Sequence, residues 1–96
     1  MKPNTHLAIE YLLAAGWYVT KSGHVVQLIH DERDERILVS HRTIEVQHIN
    51  DNDQPNRWYQ TIYELTSRAA LSEDQIVHFF ALARVVSIQQ LQSFAQ

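Results

Sequence analysis

Six histidines, His6, His24, His30, His41, His48 and His78, are the side chains of this 96-residue chain best suited to chemistry near neutral pH. A neutral imidazole is a common metal ligand, and rings on neighbouring strands can converge on one cation. The spacing argues otherwise. No HxxxH or HExxH pair sets two rings on one helical face, and without a Cys no thiolate can complete a tetrahedral set. The pattern predicts neither a metal nor a cofactor. Histidines meeting at an interface would instead make binding pH-sensitive between about pH 5 and 7.

Nucleophilic and acid–base patterns are equally sparse. No Ser stands on a Gly-x-Ser-x-Gly elbow, and the only glycines, Gly16 and Gly23, cannot form a phosphate-cradling loop. The carboxylates that cluster, Asp31, Glu32, Asp34 and Glu35, alternate with Arg33 and Arg36 as a solvated, mixed-charge run would. Nothing here supports paired acid–base work, and no catalysis is expected. Such a run is a solvated hairpin end or an acidic docking surface that speeds encounter with a basic partner. Asp51 and Asp53 would reinforce the docking surface if their loop lies at the same end of the sheet.

Two further stretches bear on binding. Trp58 and Tyr59, beside Arg57, are interface-prone residue types, with Tyr59 and Tyr63 more available to a partner than Trp58. Residues 77–94 partly fit a DNA-binding helix-turn-helix. Ala81 takes the small position, Val86 and Ser87 the turn, and Leu91 and Phe94 the later apolar positions. The fit is incomplete: β-branched Val85 stands where a glycine is expected, and Arg84 fills a slot that is usually apolar. The second helix, from Ser87 onward, carries no Lys or Arg to meet phosphates, although Gln89, Gln90 and Gln92 could read adenine edges.

The elements that would position these residues read as one α+β domain spanning 1–96. A first helix is expected over Thr5–Ala15, capped by Asn4 or Thr5 and stopped at Gly16, with Ile9, Leu12 and Leu13 inward and Tyr11 at the flank. An antiparallel meander of three or four strands follows through Trp17–Lys21, His24–His30, Ile37–Val39 and Thr43–Ile49. Ser40–Arg42 reads as a turn or a bulge, and residues 50–56 as a loop. Trp58, Ile62, Leu65 and Ala69 recur at helical spacing, predicting a helix there. Capping boxes at Ser72–Gln75 and Ser87–Gln90 open further helices, the first burying Ile76, Phe79, Phe80 and Ala83. Two or three C-terminal helices then pack on the sheet.

Charge and composition bound the partner. The net charge is −3, and residues 31–53 hold seven acids against three bases, −4, which leaves the rest at +1. No basic face suggests phosphate binding. Without Cys, a small domain of this kind is expected in a reducing, cytoplasmic setting. His6 and Glu10 break the apolar run near the N-terminus, and no stretch reaches the ~18–20 apolar residues that cross a bilayer. The expectation is therefore a non-catalytic protein-binding module of adaptor, inhibitor or immunity type. It would meet a protein with a basic surface, in the way a small phage or mobile-element protein blocks a nucleic-acid-handling enzyme. The alternative is a DNA-binding regulator built on residues 77–94. A homodimer is plausible in either case, through the edge of the meander or the Leu91/Phe94 face.

Overall fold

The computed structural model describes residues 4–50 and 57–94, the side chain of Phe94 excepted. Helix α1 (Thr5–Ala14) leads into five antiparallel strands: β1 (Tyr18–Lys21), β2 (Val26–Ile29), β3 (Glu35–Val39), β4 (Thr43–Asn50) and β5 (Trp58–Thr66). Helices α2 (Glu73–Ala83) and α3 (Ile88–Phe94) complete the chain. The strands pair in sequence order, β1-β2-β3-β4-β5, each with its chain neighbour. The α+β meander is as the alternation predicts, but the sheet has five strands rather than three or four.

The fifth strand replaces an expected helix. Trp58, Ile62 and Leu65 do recur at helical spacing, but Trp58–Thr66 is dominated by aromatic and β-branched residues, which suit a pleated surface. Strand β4 offers it an eight-residue edge from Thr43 to Asn50, and β5 pairs along that whole length. Tertiary pairing overrides a coincidence of spacing. Ser40–Arg42 is a turn, closed by Ser40 N–H donating to Thr43 O at 2.9 Å. Asp31–Asp34 is the β2–β3 connection, and Glu35 already belongs to β3.

The sheet buries one face. Val26, Leu28, Ile37, Val39, Ile44 and Val46 point toward the helices, and the last five of these are fully buried in one core with Leu12, Trp17, Ile76 and Phe80. On α2 the four positions expected inward, Ile76, Phe79, Phe80 and Ala83, are all buried, and the Ser72–Gln75 capping box forms in both directions. On α1 the buried stripe is Ala8, Tyr11 and Leu12, while Leu13 is half exposed. Tyr11 displaces Leu13 from the core because its ring meets Phe80 edge-on at 6.4 Å and its hydroxyl donates to Glu73 Oε1 at 3.3 Å. Burial, and then the Glu73 carboxylate, raise the Tyr11 phenol above its ordinary pKa.

Two helix ends are tied together at one end of the molecule. Helix α1 stops with Trp17 N–H on Leu12 O and Gly16 N–H on Leu13 O, Gly16 lying at φ +96°. Helix α2 stops the same way, Val85 N–H on Phe80 O and Arg84 N–H on Ala81 O, so the left-handed residue is Arg84 at φ 58° and not Val85. The two buried residues that follow these stops then bond each other, the Trp17 indole N–H donating to Val85 O at 3.0 Å. Gln90 of α3 donates from Nε2 to Ala14 O at 2.8 Å, satisfying an end carbonyl of α1.

Candidate functional site

All three helices share the core on one side of the sheet, and no helix or strand among the described residues covers the other side. Its residues follow from strand alternation: Tyr18 and Thr20, Gln27 and Ile29, Arg36 and Leu38, Glu45, Gln47 and Ile49, then Tyr59, Thr61 and Glu64. A single hydrogen-bonded row crosses all five strands on this face. Gln27 Nε2 donates to Thr20 Oγ1 at 3.2 Å, and Arg36 Nη1 to Gln27 Oε1 at 3.2 Å. Arg36 Nε donates to Gln47 Oε1 at 2.7 Å, and Gln47 Nε2 to Thr61 Oγ1 at 3.3 Å. The Arg36 guanidinium also lies 3.3 Å from the centroid of the Tyr59 ring. These contacts link the side chains of the row to one another across the sheet.

Beside that row, Glu45 and Glu64 stand directly opposite each other on β4 and β5. The hydrogen bond to Glu64 raises the Glu45 carboxyl above its ordinary pKa of 4.5; burial and the Glu64 charge add to this, and Arg36 opposes it. The pair shares a proton more readily than isolated carboxylates do.

The acidic run is largely tied into the fold. Asp31 Oδ1 accepts from the Tyr18 hydroxyl at 2.8 Å, which also raises the Tyr18 phenol. Glu35 Oε1 accepts from Arg33 Nε at 2.7 Å. Arg33 further donates to Arg84 O at 2.8 Å and lies 5.3 Å from the Trp17 ring centroid, so it pins the loop to the joined helix ends. Glu32 and Asp34 are exposed. Asp51 and Asp53 lie outside the described residues. The strand ends flanking them, Asn50 and Trp58, are at the same end of the sheet as the Asp31–Asp34 loop, where Ile49 N–H donates to Asp34 O at 2.9 Å. A shallow groove of about 320 Å³ lies on the open face at this end, between Tyr18, Arg36, Arg57 and Tyr59.

Tyr59 and Tyr63, expected to be available to a partner, are both exposed but on opposite sides of β5. Tyr59 pairs with Ile49 on the open face, whereas Tyr63 pairs with Val46 on the helix side. Trp58, expected to be the better buried, is 52% exposed, because it begins an edge strand and not a core-facing helix. On the helix side a second, more apolar groove of about 520 Å³ runs between β5 and α2, over Leu65, Phe79 and Leu82, with Glu64, Asp74 and His78 at its rim.

The histidines do not converge, and the described residues contain no group of three or more His, Cys, Asp and Glu placed to hold a metal ion. His30 is structural: Nδ1 accepts from Glu32 N–H at 3.1 Å, so Nε2 carries the proton it gives to Ala15 O at 3.1 Å. In the would-be DNA-reading helix, Gln90 is bonded to Ser87 and Ala14 and Leu91 is buried, while the Phe94 side chain, the other half of the expected Leu91/Phe94 face, lies outside the described residues. No helix among the described residues is long and apolar enough to cross a membrane.

The cross-strand row was missed in the sequence, although a signal existed. Gln27 and Gln47 each sit between apolar residues that face the core, so each must project from the other face. Knowing that they adjoin Arg36 requires the register. Comparison of the chain with protein-family models, with curated proteins and with solved structures finds no match in any of the three.

Proposed function

We propose that this chain is a non-catalytic protein-binding module that presents the uncovered face of its sheet to another protein. The observation that carries the reading is the row Thr20–Gln27–Arg36–Gln47–Thr61 with Tyr59 stacked on its arginine. Tyr and Arg dominate interface hot spots, and a surface already ordered loses little side-chain entropy on binding. Half-buried Ile29, Leu38 and Ile49 supply apolar area around the row. Exposed Glu32 and Asp34 at one end, and the Glu45/Glu64 pair beside the row, favour a partner that brings basic groups.

The test is affinity capture from host lysate with nuclease present, comparing the wild type with Arg36→Glu/Tyr59→Ala, with Glu32→Lys/Asp34→Lys, and with Gln89→Ala/Gln90→Ala. One stoichiometric protein, lost with the sheet-face variant, weakened with the loop variant and kept with the glutamine variant, supports the reading. Capture that ignores Arg36 and Tyr59 refutes it. Nucleic acid recovered without a stable protein, and lost with the glutamine variant, moves the function to residues 77–94.

A further inference from the structure

We propose that two copies of this chain join edge to edge through β5, extending the sheet from five strands to ten about a two-fold axis. The two edges of the sheet differ. Strand β1 has only four residues and Lys21 at its end, features that discourage pairing. Strand β5 has nine residues, contains neither Pro nor Lys, and is exposed along nearly its whole length. It displays Trp58, Tyr59, Ile62 and Tyr63 at 38–52% exposure. At the usual size of such side chains this is roughly 400 Å² of apolar and aromatic surface, divided between the two faces of the strand.

The sequence of β5 complements itself. Run antiparallel to a copy of itself so that Arg57 opposes Glu64, the strand also sets Trp58 against Tyr63, Tyr59 against Thr61 and the bulged Ile62 together, and Gln60 against Gln60 of the second copy. A slip of one residue in one direction puts Trp58 opposite Glu64; in the other it puts Arg57 opposite Tyr63. In a regular strand Trp58 and Tyr63, five residues apart, would face opposite sides and could not be cross-strand neighbours. The bulge removes that obstacle. Val46 pairs with Tyr63 and Gln47 with Thr61, leaving Ile62 as an extra residue that shifts the phase. Trp58 and Tyr63 therefore share the helix side, while Tyr59 and Glu64 share the open side.

The same register gives the apolar groove an occupant. Trp58 of the second copy, opposite Tyr63, comes to the mouth of the groove formed by Leu65, Phe79 and Leu82, the last of which is 65% exposed. Seven paired positions span about 24 Å. A single pair of edge strands makes a small interface beside the ~800 Å² per partner of a standard one, and dissociation in the micromolar range is expected.

Sedimentation equilibrium of the full chain tests this, with circular dichroism confirming that each variant is folded. The wild type is expected to be a dimer at ~200 µM and a monomer near 1 µM, as a small interface implies. Arg57→Glu alone sets like charges at both ends of the joint, as does Glu64→Arg alone; each is expected to weaken dimerisation at least tenfold. An equimolar mixture of the two restores both opposite-charge pairs, and heterodimers should form with wild-type affinity. Ile62→Lys, at an exposed position, should be monomeric throughout. A wild type that stays monomeric at ~1 mM, far above the affinity such an interface allows, overturns the proposal. So does a dimer indifferent to Ile62→Lys, or a mixture no better than its components. None of these outcomes depends on the sheet face binding another protein, so the two proposals stand or fall separately.

Discussion

Replacing Glu64 with Gln should stabilise the protein at neutral pH and leave it unchanged in acid. Glu45 and Glu64 are directly opposed on an antiparallel pair, and like charges in that position are destabilising. Glu64 is exposed, so solvent screens much of the repulsion, and the expected gain is about 0.5 kcal/mol, mid-range for a cross-strand pair. For a domain of this size that is roughly 2–4 °C in Tm. The pH dependence fixes the cause. The Glu45 carboxyl is raised in the folded state, chiefly by its hydrogen bond to Glu64, so between 4.5 and the raised value the folded chain holds more protons than the unfolded one. Wild-type stability contributed by this group is therefore present below its ordinary pKa and is lost as pH rises through the raised one. The introduced amide still offers Glu45 a hydrogen bond but no charge, so the variant lacks this loss. Urea unfolding followed by tryptophan fluorescence, at a few micromolar protein and in steps from about pH 4 to 7.5, reads the difference. The gap should be near zero at the acid end and full by neutrality. A gap that is constant with pH, or a variant less stable than the wild type at neutral pH, would refute the shared-proton account.

Two further outcomes follow from the joined helix ends. Trp17→Phe keeps an aromatic ring but leaves Val85 O buried without its donor, and should cost about 1–3 kcal/mol in urea unfolding. A loss below experimental error would mean that water replaces the indole. Gly16→Ala meets two obstacles, φ +96° and a Cβ that would lie 2.8 Å from His30 Nε2, which is itself hydrogen-bonded. It should destabilise by about 2 kcal/mol or more, and His30→Ala in the same chain should recover only the steric part.

The binding site was far less legible in the sequence than the elements that carry it. Ser72–Gln75 announced α2 and its buried stripe because a cap and a 3.6-residue period are local properties of the chain. Gly16 announced the end of α1 for the same reason. The acidic run drew attention as a docking surface because composition is visible, but composition does not show that Asp31 is held by Tyr18 and Glu35 by Arg33. Residues 58–66 misled because Trp58, Ile62 and Leu65 satisfy a helical spacing while the intervening Tyr, Thr and Ile satisfy a strand, and periodicity alone does not rank the two.

The sequence by itself determined the α+β class, the stop of α1 at Gly16, the start of α2 at Ser72 and the alternation that sends Gln27 and Gln47 away from the core, since each depends on neighbours within a few positions. Only the tertiary structure decided that β5 completes the sheet, that one polar row crosses five strands, and that Glu45 stands opposite Glu64, which raises its carboxyl pKa. Those outcomes depend on the register between separate segments of the chain. Register is set by burial of the opposite face, where Leu28, Ile37, Val39, Ile44 and Val46 find the helices, and a slip of one residue would turn that whole set outward.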